Sequence, residues 1–123
     1  LTLAVAVARR KRTLLLGQRA EGGLFGGLWE LPSAEIGAAS EGPKALLRLL
    51  GDGAWVGQRL FSLQRTLTHR DLELVLYEAS VPGPLEGRGE YQAWQWVDPA
   101  QVAQLGMSSA TRALLERVGH GPR

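Results

Sequence analysis

Apolar residues recur in short alternating or continuous runs, broken by glycine, proline and basic residues, a rhythm of strands more than of long helices. Leu1–Ala8 (LTLAVAVA) and Thr13–Arg19 (TLLLGQR) predict two strands joined as a hairpin through a basic turn. Residues 20–27 predict a glycine-rich loop, and residues 28–31 a short strand ended by Pro32. Residues 33–42, small and mixed, carry no period and predict irregular structure. Residues 43–50 predict a helix with Pro43 near its start, Ala45, Leu46, Leu49 and Leu50 apolar, and Gly51 closing it. Residues 54–63 and 69–81 predict strands, the second alternating over Leu72, Leu74 and Leu76. A loop over 82–89 then leads to a strand, Tyr91–Val97, in which Trp94 and Trp96 flank Gln95. Asp98, Pro99 and Gln101 compose a capping box for a brief helix ending near Leu105 and Gly106. Ser108 or Ser109 caps the last helix, with Leu114, Leu115 and Val118 on its buried side, and residues 120–123 read as a frayed tail. The order β-β-β-α-β-β-β-α-α predicts an α/β (α+β) fold, a mixed β-sheet sandwiched between helices, as a single domain over 1–123.

Composition narrows the chemistry. The chain has no cysteine, which excludes disulfides, thiol catalysis and thiolate metal sites and fits a cytoplasmic protein. Leu1–Ala8 is the longest apolar run, far short of the roughly 20 residues a bilayer requires, so no membrane partner is expected. The net charge of +2 is too mild for an autonomous nucleic-acid binder. The cluster Arg9, Arg10, Lys11 and Arg12 is either a solvated hairpin turn or a phosphate-contacting one, with Arg10, Lys11 and Arg12 as the contacts. The chain opens on Leu1 inside a strand, which suggests a piece of a longer protein.

Residues 24–33, LFGGLWELPS, resemble the entrance to the phosphate-and-metal loop of a Nudix domain. A working loop of that kind continues into a helix whose glutamates hold Mg²⁺ against a diphosphate. Here the signature arginine falls on Arg48, whereas the glutamate positions fall on Ser40, Leu49, Asp52 and Gly53. One carboxylate in place of four cannot neutralise a metal-bound diphosphate. Glu30, Glu35 and Glu41 lie nearby in sequence and leave a rearranged metal site with Asp52 as an alternative. No Ser/His/Asp set or P-loop stands out; Trp29 reads as core rather than as a ligand platform, and His120, in the tail, takes no role.

Leu14–Arg19 with Gly23 and Leu24, then GLWELPS at 27–33, is similar to the "L-L-x-x-R…G-L…G-L-W-E-F-P-S" pattern of the C-terminal domain of MutY-type adenine DNA glycosylases. LTHRDLEL at 67–74 resembles the same domain's "F-S-H-x-x-L-x-L" segment, and residues 91–97 with 106–115 resemble its closing stretch. That domain is a Nudix relative without hydrolase activity. The resemblance implies a Nudix-like fold and recognition of 8-oxoguanine opposite adenine in duplex DNA. It further implies that Thr68 hydrogen-bonds the lesion, that His69 braces the turn, and that Leu67 stands as an apolar wedge where the family has phenylalanine. The implied partners are that duplex and an N-terminal catalytic domain of the same polypeptide. No catalytic residue, metal or cofactor is expected in this chain; the family's iron–sulfur cluster belongs to that other domain. Two alternatives stay open: a free-standing Nudix hydrolase acting on oxidised nucleoside diphosphate derivatives, and a silent Nudix scaffold for a nucleotide or protein.

Overall fold

The first apolar run is a strand, β1 (Thr2–Arg10), in which Ala4, Val5, Ala6, Val7 and Ala8 are all buried. It reads as continuous hydrophobics because other strands flank it on both edges. The computed structural model describes residues 1–22, 26–85 and 89–119, with the side chains of Ala39 and Leu67 outside the description. It comprises two units: Leu1–Ala8 with Pro32–Leu85, and Arg9–Leu31 with Glu86–Arg123.

In the first unit, β1 pairs antiparallel with β4 (Ser33–Ile36) and in parallel with β6 (Arg70–Ser80). β6 also pairs antiparallel with β5 (Trp55–Leu67), so the sheet is mixed and the architecture is α+β. β4 corrects the expectation that residues 33–42 are irregular. Four residues are too few to show a period, and the pairing with β1 supplies the order that propensity lacks. A 3₁₀ turn over Ala39–Glu41 then leads into helix α1 (Gly42–Leu50), one residue earlier than expected. Gly42, Leu46 and Leu50 form its buried stripe, while Leu49 is half-buried. A Cβ on Gly42 would lie 2.6 Å from the Tyr77 hydroxyl oxygen, so this helix start tolerates no side chain.

In the second unit, β2 (Thr13–Arg19) pairs antiparallel with β7 (Tyr91–Val97) and with β3 (Trp29–Glu30), a strand shorter than the expected 28–31. Helix α2 (Pro99–Val102) opens on the expected capping box: Gln101 N–H donates to the Asp98 carboxylate at 3.1 Å, and Asp98 N–H donates to Gln101 Oε1 at 2.9 Å. Ser108 caps α3 (Ser109–Arg117) by accepting from Thr111 N–H at 3.2 Å. Val118, expected on the buried side, is half-buried, and Thr111 is buried in its place. The expected tail at 120–123 lies outside the described residues. Asp98→Ala is expected to lower the unfolding free energy by about 1 kcal/mol, since it removes one half of a reciprocal cap. In urea unfolding, a midpoint equal to that of the parent protein would show the cap to be dispensable. No helix among the described residues is long and apolar enough to cross a membrane.

Candidate functional site

β5 continues to Leu67, four residues past the expected end, because Gln64, Arg65, Thr66 and Leu67 each keep a backbone partner on β6. Sequence alone ends the strand early there, since polar residues replace the apolar alternation. The register closes with Leu67 opposite Arg70, which leaves Thr68 and His69 as a two-residue hairpin tip. Both side chains are exposed, as are those of Arg70 and Asp71. The Leu67 side chain lies outside the described residues. Beside the tip is an open hollow of about 260 Å³ whose lining includes Gln64, Arg65, Thr66, Asp71 and Glu73. It carries one cationic and two anionic side chains together with amide and hydroxyl groups, a surface of donors and acceptors with no cationic excess.

Helix α1 carries no aspartate or glutamate. The helix stops at Leu50, so Asp52 lies in the turn beyond it, exposed. Glu41 Oε1 accepts the Ala38 N–H at 2.8 Å, bracing the turn that precedes the helix. Glu35 is exposed on β4. Among the described residues, no three His, Asp or Glu side chains lie together as a metal-binding set. The donor set on α1 therefore does not fit the Mg²⁺ that a hydrolysing Nudix loop holds with helix glutamates.

Glu30, the acid of the WELP segment, is bound in a different way. Arg19 Nε donates to Glu30 Oε1 at 2.9 Å, and the Tyr91 hydroxyl donates to Glu30 Oε2 at 2.5 Å. A second guanidinium nitrogen of Arg19 meets the Glu90 carboxylate, and the guanidinium carbon sits 5.4 Å from the centre of the Tyr91 ring. Burial alone would lower the Arg19 pKa. The hydrogen bond and negative charge of Glu30 outweigh it and hold the guanidinium well above its ordinary value. Next to this knot, Arg19 N–H donates to the Leu28 carbonyl at 3.0 Å and Gly27 N–H to the Arg19 carbonyl at 2.9 Å. Sequence reasoning places Arg19 within a motif but gives it no partner, and nothing local could have done so, because Glu90 is 71 residues away.

The basic cluster divides. Arg9 and Arg10 belong to β1 and pair with Leu14 and Thr13, so the turn itself is Lys11 and Arg12, both exposed. Arg9 donates to the Val118 carbonyl at 2.6 Å, and the Arg10 guanidinium lies 4.2 Å over the Trp96 ring.

A family model described as a NUDIX domain matches residues 4–117. No curated protein matches the chain. Among solved structures, the solution structure of the E. coli ORF135 protein is similar with a TM-score of 0.72 at 29% identity, over 96% of this chain and 87% of that one. The crystal structure of the MutT protein from Methanosarcina mazei Go1 gives a TM-score of 0.77 at 18% identity, over 96% and 91%. The C-terminal domain of mouse MUTYH, solved in complex with human PCNA, gives 0.69 at 22% identity, over 96% and 86%. With the model spanning nearly the whole chain, this protein belongs to the NUDIX domain family.

Proposed function

We propose that this domain reads 8-oxoguanine opposite adenine in duplex DNA, as the non-catalytic C-terminal part of a MutY-type adenine glycosylase. The observation that carries the reading is the pairing of an acid-free α1 with an exposed two-residue tip, Thr68 and His69, on a long hairpin. 8-Oxoguanine differs from guanine at N7, which becomes a donor, and at C8, which gains an oxygen. The Thr68 hydroxyl can accept from N7–H while a tip amide donates to the new oxygen, a pairing that guanine cannot return. The mixed charge of the hollow beside the tip suits the edge of a base better than a phosphate. The glycosidic bond would be cut by an N-terminal domain of the same polypeptide, which would carry the family's iron–sulfur cluster.

Titrating the chain with duplexes bearing 8-oxoguanine or guanine opposite adenine tests the reading. The lesion duplex is expected to bind about tenfold more tightly, and Thr68→Ala to remove most of that ratio, in keeping with one base-specific hydrogen-bonding pair. Equal affinity for the two duplexes at every salt concentration contradicts it. A hydrolase reading draws on Glu30, the half-buried acid of the loop entrance, and on the Nudix hydrolases among structures of similar fold. Magnesium-dependent turnover of 8-oxo-dGTP, abolished by Glu41→Gln, would favour it.

A further inference from the structure

We propose that the β1–β2 turn is a phosphate-diester grip: Lys11 and Arg12 at its tip, with Arg10 beside them, hold the backbone of a nucleic acid irrespective of base sequence. The proposal stands apart from lesion reading, because it concerns undamaged DNA and different residues.

The backbone supplies the first observation. Lys11 has φ 56°, the left-handed region, and is the one non-glycine residue among those described to adopt it. The first position of a two-residue hairpin with positive φ is where glycine, asparagine or aspartate relieves the strain. A lysine there is a poor choice for the turn, and a retained strain of this kind calls for a use of the side chain. Thr13 Oγ1 donates to the Arg10 carbonyl at 2.6 Å across the base of the turn, so its geometry is held by something other than glycine.

Charge supplies the second. Among the described residues, no carboxylate is paired with Lys11 or Arg12. Arg9 spends its hydrogen bond on the Val118 carbonyl, just past the end of α3, which leaves its positive charge in place and fastens that helix end to the hairpin. Arg10 keeps its charge while its guanidinium lies over Trp96, which fixes its direction. Three consecutive cations thus stand at one turn, as backbone contacts to successive phosphates require.

The test titrates the chain with a short undamaged DNA duplex across a range of salt concentrations. Lys11→Gly with Arg12→Gln is expected to reduce the slope of log affinity against log salt by about 1.8, roughly 0.9 for each phosphate that no longer meets a cation. The weakening should be the same for undamaged and lesion-bearing duplexes. Lys11→Gly alone should raise the melting temperature while weakening binding, opposite shifts that a merely structural turn would not give. An unchanged salt slope, or no binding of the duplex by the parent chain at low salt, overturns the proposal. Sodium tripolyphosphate is the competitor arm: displacement of the duplex at equimolar phosphate, lost in the double variant, would assign the turn to small polyphosphates and overturn it as well.

Discussion

Replacing Arg19 with methionine is expected to lower the unfolding free energy by about 3 kcal/mol, read from the midpoint of urea unfolding. Methionine keeps much of the apolar stem, so the loss is chiefly that of the charge. The side chains of Arg19 and Glu30 are only 17% and 14% exposed, and removing the guanidinium leaves the Glu30 carboxylate with the Tyr91 hydroxyl as its remaining side-chain donor. Stranding a largely buried charge costs far more than losing a surface pair. Glu90, whose side chain is 76% exposed, is the control: Glu90→Gln should change stability by less than about 0.5 kcal/mol, because solvent screens that half of the network. In the double variant Arg19→Met with Glu30→Gln the stranded charge is gone, so the combined loss should fall short of the sum of the single ones by about 1–2 kcal/mol. Strict additivity would mean that the two groups do not act as a pair. The arginine side of this pair carries no pH dependence in the working range. A raised pKa keeps its contribution complete below the unfolded-state value, and it is lost only as pH climbs through the higher folded one.

Much of the fold was legible because it rests on local patterns. The apolar runs of β1, β2 and β6, the Asp98–Gln101 box and the Ser108 cap each place their own element. β4 was not legible, since Ser33, Ala34, Glu35 and Ile36 become a strand only when β1 presents an edge to them. The last turns of the β5–β6 hairpin were hidden for a similar reason: Gln64 to Leu67 are held by ladder hydrogen bonds, to which residue type gives no clue. At the candidate site, the missing helix acids could be read directly, because the spacing of a signature is a property of sequence. The Arg19–Glu30–Tyr91–Glu90 knot could not, because it joins β2, β3 and the start of β7. The Nudix frame is thus written locally, while the two-residue tip at Thr68 and His69 and the network around Arg19 exist only in the folded chain.

Gly17→Ala should destabilise the protein by about 2 kcal/mol, even though glycine in a strand interior is ordinarily the poorer residue by roughly 0.5–1 kcal/mol. Two effects of opposite sign meet at this position, and the distances decide between them. A Cβ on Gly17 would stand 2.6 and 2.9 Å from the Tyr91 ring carbons Cδ1 and Cε1 and 3.0 Å from Trp94 Cζ3, closer than packed carbons can sit. The Tyr91 ring has little room to yield. It is 3% exposed, its centre lies 4.9 Å from that of Trp94, and its hydroxyl is bound to Glu30. Moving the ring stretches that hydrogen bond and disturbs the carboxylate that holds Arg19, so the strain passes from β2 and β7 into the loop entrance. Tyr91→Val, whose side chain ends at Cγ, removes both the clashing carbons and the hydroxyl. In that background Gly17→Ala should cost less than about 0.5 kcal/mol or become stabilising, as the unfolded-state entropy of glycine then dominates. If alanine costs the same with tyrosine or valine at position 91, the close approach of the ring is not what requires glycine there, and β2 must owe it to its backbone alone.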